Sequence, residues 1–247
     1  MSRQMLAAAV VAVAVAGTAG CYRSSPAPPP GPTAPAGPAP RLTLEATASP
    51  TFEASRLPAV SADGAAVLLG IQDHDGGRGN PNYRFELRDR NDAKLAEHTV
   101  LTANEADSMY DAAGPSVELA QRVDAANRWL TEQHAARRFV PLTKLEVLPG
   151  EEIASSFRAT GGGVTVEWRQ NRLTIAQGGK LVLERATPQA WLAKPRTVPG
   201  GDLTCENPAF LDGAAVSLEH KLALIVVGYG GTDTCWEPED QHHVVAW

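Results

Sequence analysis

Apolar and polar positions alternate with a period of two over much of the chain after residue 41, and the alternation breaks once, in the middle, into a helical period. Leu42, Leu44 and Ala46 predict a first strand over 42–47. The turn pair Asp63-Gly64 separates Pro58–Val60 from the apolar run Val67–Ile71. Tyr83, Phe85 and Leu87 alternate with Arg84, Glu86 and Arg88, which predicts a strand with one wet face. Asn91-Asp92 turns the chain, and Lys94–Leu101 returns as a further strand. Thr102-x-x-Glu105 then has the form of a capping box opening a short helix over about 105–112. Gly114-Pro115 stops it. Ser116 caps a long helix over about 116–136, whose Leu119, Val123, Ala126 and Leu130 share one face, with Trp129 beside them as a core residue.

Strands resume at Phe139, and Thr143–Leu148 alternates. Gly161-Gly162-Gly163 reads as a flexible loop. Val164, Val166 and Trp168, then Leu173 and Ile175, then Leu181 and Leu183 predict a three-stranded meander with turns at Gln170-Asn171 and Gly178-Gly179. Pro188–Gly201 is a proline-rich crossover. Ala214–Leu218 and Leu222–Val227 form a hairpin about Glu219-His220, and Val244–Trp247 is a terminal strand. The predicted class is therefore α+β and β-rich: mainly antiparallel sheets packed by one long helix and one short one, in a single globular domain over 41–247. The stretch from Asn207 to His243 stands out within it, because it holds the longest apolar run after the N-terminus and a dense Gly/aromatic loop.

The first 40 residues are of another kind. Arg3 precedes an apolar run, Leu6–Ala16, that is too short to span a bilayer. Thr18-Ala19-Gly20-Cys21 follows and resembles the lipobox of bacterial lipoproteins. That resemblance implies cleavage after residue 20 and acyl chains, palmitate among them, on Cys21; the alternative is an ordinary secretory signal cut after Ala16 or Ala19. Residues 22–40 carry eight prolines, which block helix and ladder alike, so 21–40 reads as an extended spacer reaching about 60 Å at ~3 Å per residue. In lipoproteins, Asp after the acylated cysteine favours inner-membrane retention; Tyr22 stands there, which favours the outer membrane.

The net charge of −6, with no basic cluster larger than Arg137-Arg138, argues against a nucleic-acid surface. The expected partners are a membrane, through the lipid, and an envelope protein or glycan. Three cysteines are an odd number for an exported chain. With Cys21 acylated, Cys205 and Cys235 are left as an even pair. A bridge between them would contribute roughly 3–4 kcal/mol by chain entropy. A metal–thiolate pair is the alternative, though neither cysteine sits in a CxxC or CxxH.

Ser61-Ala62-Asp63-Gly64, the strand after it, the loop, the strand ending Leu87-Arg88-Asp89 and the next strand resemble one blade of TolB/WD40-like propellers, over about 45 residues. One echo occurs elsewhere: Asp63-Gly-Ala-Ala-Val67 recurs as Asp212-Gly-Ala-Ala-Val216. The two copies are either paired strands of one sheet or a coincidence of turn chemistry. Through Asp75-Gly-Gly-Arg-Gly-Asn-Pro-Asn82 and Gly228-Tyr-Gly-Gly-Thr-Asp-Thr-Cys-Trp236, the whole mature chain is similar to uncharacterised lipoproteins of high-GC Gram-negative bacteria, which again implies an envelope location and no known activity.

No GxSxG, HExxH, P-loop, GxGxxG or SxxK occurs, so the sequence leans toward binding over catalysis, with no cofactor expected. Three loops carry candidate chemistry. Asp73 and Asp75, at alternate positions of a Gly-rich loop, resemble part of a calcium loop, with a self-bonded loop as the simpler reading. Asp233, Glu237, His242 and His243 offer zinc or iron donors, and an exported metal-dependent enzyme using this loop is the alternative to a binding protein, but His242 and His243 on a strand would face opposite sides. Tyr229 and Trp236 offer rings for stacking on a ligand, against the simpler reading that Trp236 covers the Cys205–Cys235 bridge.

Overall fold

The computed structural model describes residues 37–45, 51–73, 81–111, 114–148, 156–169, 172–197, 204–231, 235 and 238–247. The signal segment, Cys21 and most of the spacer lie outside them. In chain order the first elements are β1 (Arg41–Glu45), β2 (Thr51–Ser55), β3 (Ala59–Val60), β4 (Ala66–Ile71), β5 (Tyr83–Asp89) and β6 (Lys94–Leu101). The helical middle holds α1 (Ala103–Met109), the short pair β7 (Tyr110–Asp111) and β8 (Gly114–Pro115), and α2 (Val117–Arg137). Then come β9 (Val140–Pro141), β10 (Thr143–Lys144), β11 (Glu146–Leu148), β12 (Ser156–Gly161), β13 (Val164–Arg169), β14 (Arg172–Gln177) and β15 (Lys180–Ala186). The C-terminal third has β16 (Arg196–Thr197), β17 (Thr204–Cys205), β18 (Ala209–Ser217), β19 (Leu222–Tyr229) and β20 (Gln241–Ala246). Among the described residues no helix is long and apolar enough to cross a membrane.

The ladders are antiparallel and fall into three main sheets. The first has the order β6-β5-β4-β3-β9, the second β10-β18-β19-β20, and the third β11-β12-β13-β14-β15. Side chains show how they stack. Leu68, Phe85 and Leu87 pack with Leu119, Val123, Ala126 and Leu130 of α2 and with Leu42 and Phe52 of the β1–β2 hairpin. Val67, Leu69 and Ile71, on the opposite face of β4, pack with Ala215, Leu222, Leu224 and Val244 of the second sheet. Ala223, Ile225 and Val227, on the far face of β19, pack with Val166, Trp168, Leu173 and Ile175 of the third. The order is helix layer, first sheet, second sheet, third sheet. Strands β4 and β19 are covered on both sides, so their sequences are continuous apolar runs rather than alternating ones.

One short segment joins the layers. β9, β10 and β11 follow one another along residues 140–148, and each is the edge strand of a different sheet. The alternation in Thr143–Leu148 therefore belongs to two sheets. Phe139, Leu142 and Leu145 enter the three apolar layers one after another. At the crossings Leu142 N donates to Pro58 O (2.9 Å) and Leu145 N to Ala214 O (2.9 Å), so the backbone stays hydrogen-bonded between sheets.

α2 starts where expected: Ser116 Oγ accepts from Leu119 N (3.1 Å). It ends at Arg138, whose left-handed backbone (φ 55°) lets its N–H reach His134 O. α1 occupies 103–109 rather than 105–112, because Tyr110-Asp111 turns into the pair with Gly114-Pro115. The Thr102–Glu105 box closes mainly through the glutamate, which accepts from Thr102 N (3.0 Å) and Thr102 Oγ1 (2.8 Å). Residues 37–40, part of the expected spacer, lie against α2, with Gly37 O 2.9 Å from His134 Nε2.

Gly162 and Gly163 form a tight turn at φ 57° and 77°, where glycine relieves the strain, and Gly161 is already in strand. The meander gains β11 and β12 to become five strands. The two DGAAV copies are not partners in one sheet. Gly64 occupies a turn at φ 68° between β3 and β4, whereas Gly213 sits inside β18 at a bulge facing Val226. Val67 and Ala215 meet instead across the layer between the first and second sheets.

Leu142→Ala is expected to cost about 2–5 kcal/mol, since it empties one apolar layer beside a sheet junction. The exposed neighbour Val140→Ala should stay within about 0.5–1 kcal/mol. Urea denaturation of the two variants checks the contrast.

A polar cleft over the first sheet

The first sheet is wider than the second. The edge strand β20 lies over the end of β5: Arg88 donates to His242 O (2.5 Å), and Val244 N donates to Asp92 Oδ1 (2.8 Å) in the β5–β6 turn. Beyond β20, none of the described strands or helices covers the same face of β5 and β6. A cavity of about 590 Å³ opens there, lined among others by Asp73, Asn82, Arg84, Glu86, Lys94, Glu97, Thr99 and Glu239. The wet face predicted for β5 is thus half cleft and half interior.

Its charges are mutually held. Glu86, only 3% exposed, accepts from Arg84 Nε (3.0 Å) on one side and from Arg88 Nε (2.9 Å) and Nη2 (2.6 Å) on the other. Burial alone would raise its pKa; the two guanidiniums outweigh that and leave it below the usual carboxylate value. Glu97 is likewise lowered, chiefly by its hydrogen bond with Lys94 Nζ (2.5 Å), and also accepts from Thr99 Oγ1 (3.3 Å). At the inner end Asn82 clamps the backbone of Asp73, accepting from Asp73 N (2.7 Å) and donating to Asp73 O (2.6 Å).

The sequence candidates scatter. The carboxylate of Asp73 is paired with Arg84, which opposes a calcium role for it. Asp75, Asp233, Glu237 and Trp236 lie outside the described residues. His242 and His243 do face opposite ways on β20. His242 turns toward Arg84, Glu86 and Arg88, while His243 bonds Asp92 Oδ2 (Nδ1, 2.6 Å) and stacks on Trp191 (4.0 Å between centroids). Among the described residues, no three His, Cys, Asp or Glu side chains converge as for a metal ion. Tyr229 is not an open platform. It is 3% exposed, its hydroxyl donates to Trp191 O (2.8 Å), and burial, with Asp240 adding to it, pushes its pKa up to about 12. Cys205 and Cys235 are disulfide-bonded, and Asn207 Nδ2 holds the loop between them through Gly230 O (2.7 Å).

Sequence reasoning missed Trp191 and the cleft. Trp191 lies in the proline-rich crossover, yet it is buried between Trp168 and His243 with the Arg185 guanidinium over its ring. The Arg84/Glu86/Arg88 alternation was the only local sign of the cleft. Compared with protein-family profiles, with curated proteins and with solved structures, the chain finds no match.

Burial, and then the cation Arg88, depress His242 to about 4 from an ordinary value of 6.5. The unfolded chain therefore takes up this proton from about pH 6.5 downward, while the folded one resists it to about pH 4, and stability falls across that window by on the order of 3 kcal/mol. The depressed carboxylates Glu86 and Asp92 act lower, contributing stability above their unfolded values and losing it as pH falls through their folded ones. His242→Gln should flatten the decline between pH 6.5 and 4.5 in denaturation curves and keep the loss below it.

Proposed function

We propose that this chain is a lipid-anchored protein of the bacterial cell envelope, the outer membrane favoured, whose folded part is a binding module. It takes a polar, hydrogen-bonding ligand such as a glycan in the cleft over β5 and β6. The cleft carries the reading: about 590 Å³ is the size range of small-ligand sites, and Arg84, Glu86, Lys94, Glu97 and Thr99 of its wall stand on the strands β5 and β6. Its carboxylates favour holding over proton transfer. A general acid or base works best with a pKa near the ambient pH, whereas Glu86 and Glu97 are held below the ordinary carboxylate value by cations. The Thr18–Cys21 motif and the proline-rich spacer support the anchor, since acylated Cys21 followed by an extended segment holds a domain clear of a lipid surface.

Two measurements test this. Intact mass spectrometry of protein extracted from membranes should give an acylated chain beginning at Cys21 that gains two hydrogens on reduction; a lipid-free chain with an upstream N-terminus refutes the anchor. In amide-resolved NMR, soluble oligosaccharides, neutral or amine-bearing, should move the amides of Asn82 and Thr99, and Thr99→Trp, which fills the cleft, should abolish the response. If no saccharide or amine moves them, the binding reading falls.

A further inference from the structure

We infer that the ligand of this cleft carries a primary ammonium group; the inference rests on the cleft being the binding site. The lining side chains include four carboxylates, Asp73, Glu86, Glu97 and Glu239, against two cations, Arg84 and Lys94. Both cations are already engaged. Arg84 spans Asp73 and Glu86, and Lys94 sits on Glu97 with Glu86 3.9 Å away. A ligand anion would therefore have to share each cation with a carboxylate already on it.

Acceptor capacity is what remains. Asp73, its side chain 10% exposed, gives one carboxylate oxygen to Arg84, while its Oδ1 is buried and accepts no hydrogen bond among the described residues. A buried carboxylate oxygen without a donor is costly, and turning it outward onto an N–H donor in the cleft would relieve that cost. Asn82 holds the Asp73 backbone at the inner end of the cleft, so the residue is placed there before the ligand arrives. At the mouth Glu239 and Glu97 are both exposed, and the Glu239 carboxylate extends the negative potential outward. An alkyl ammonium with hydrogen-bonding neighbours matches this arrangement. Amino sugars and short polyamines both supply it and both fit the volume.

The test is NMR titration of the full chain with glucosamine, spermidine and glucose. Glucosamine or spermidine should move the Asn82, Glu97 and Thr99 amides where glucose does not, and about 0.5 M salt should weaken the response strongly. Response to glucosamine alone identifies an amino sugar, and response to spermidine a polyamine. Glu97→Gln, at the rim, should raise the Kd about tenfold while melting as wild type, and Asp73→Asn should raise it further. Equal shifts with glucose and glucosamine would overturn the ammonium inference while leaving the cleft as a saccharide site. Silence from all three, together with silence from larger oligosaccharides, would remove the site itself.

Discussion

Everything in this domain hangs on the ten residues from Phe139 to Leu148. They supply the edge strand of three successive sheets and one apolar plug to each of three layers. A strand within one sheet points its side chains alternately to two faces. Here the chain leaves each of the first two sheets after two residues, so Phe139, Leu142 and Leu145, three apart, serve different cores. Residues far apart in sequence, from α2 to β15, are thereby brought into one stack.

That stack explains the burial pattern. Sheets covered on both faces need continuous apolar strands, and β4 and β19 supply them at the two internal interfaces. It also explains the cleft. Five strands behind four leave a ledge, and the polar side chains of β5 and β6 fill it. Where β20 does cover β5, the charges pass into the interior: Glu86 is shared by Arg84 and Arg88, and Asp92 takes His243 and the backbone of Val244. Removing one partner from such a set would strand a buried charge, which costs far more than an exposed pair is worth. The cleft wall therefore continues an interior network of ion pairs.

The C-terminal stretch is central for reasons of packing. β18 and β19 form the middle sheet, and Tyr229 and Trp191 lock its far face against the third. The Tyr229 ring, which reads as a ligand platform at a Gly-rich loop, is spent on the core. Charged side chains gather instead at the opposite face of the same sheet's edge, where His242 faces Arg88, Glu86 and Arg84.

Sequence alone determined what depends on neighbours along the chain. Period-two runs and turn pairs located β4, β5, β6, the β13–β15 meander and the β18–β19 hairpin. Ser116 and the Leu119–Leu130 face gave α2 to within a residue, and cysteine parity gave the Cys205–Cys235 bridge. These are local geometry or simple counting. Tertiary structure decided which strands stack on which, because an apolar face does not specify its partner. It placed the two DGAAV copies in different sheets, one as a turn and one as a bulge, since pairing rather than composition sets their backbone. It divided Thr143–Leu148 between two sheets, and it made the cleft, whose residues come from positions 73 to 239 and converge only because one sheet is wider than the next.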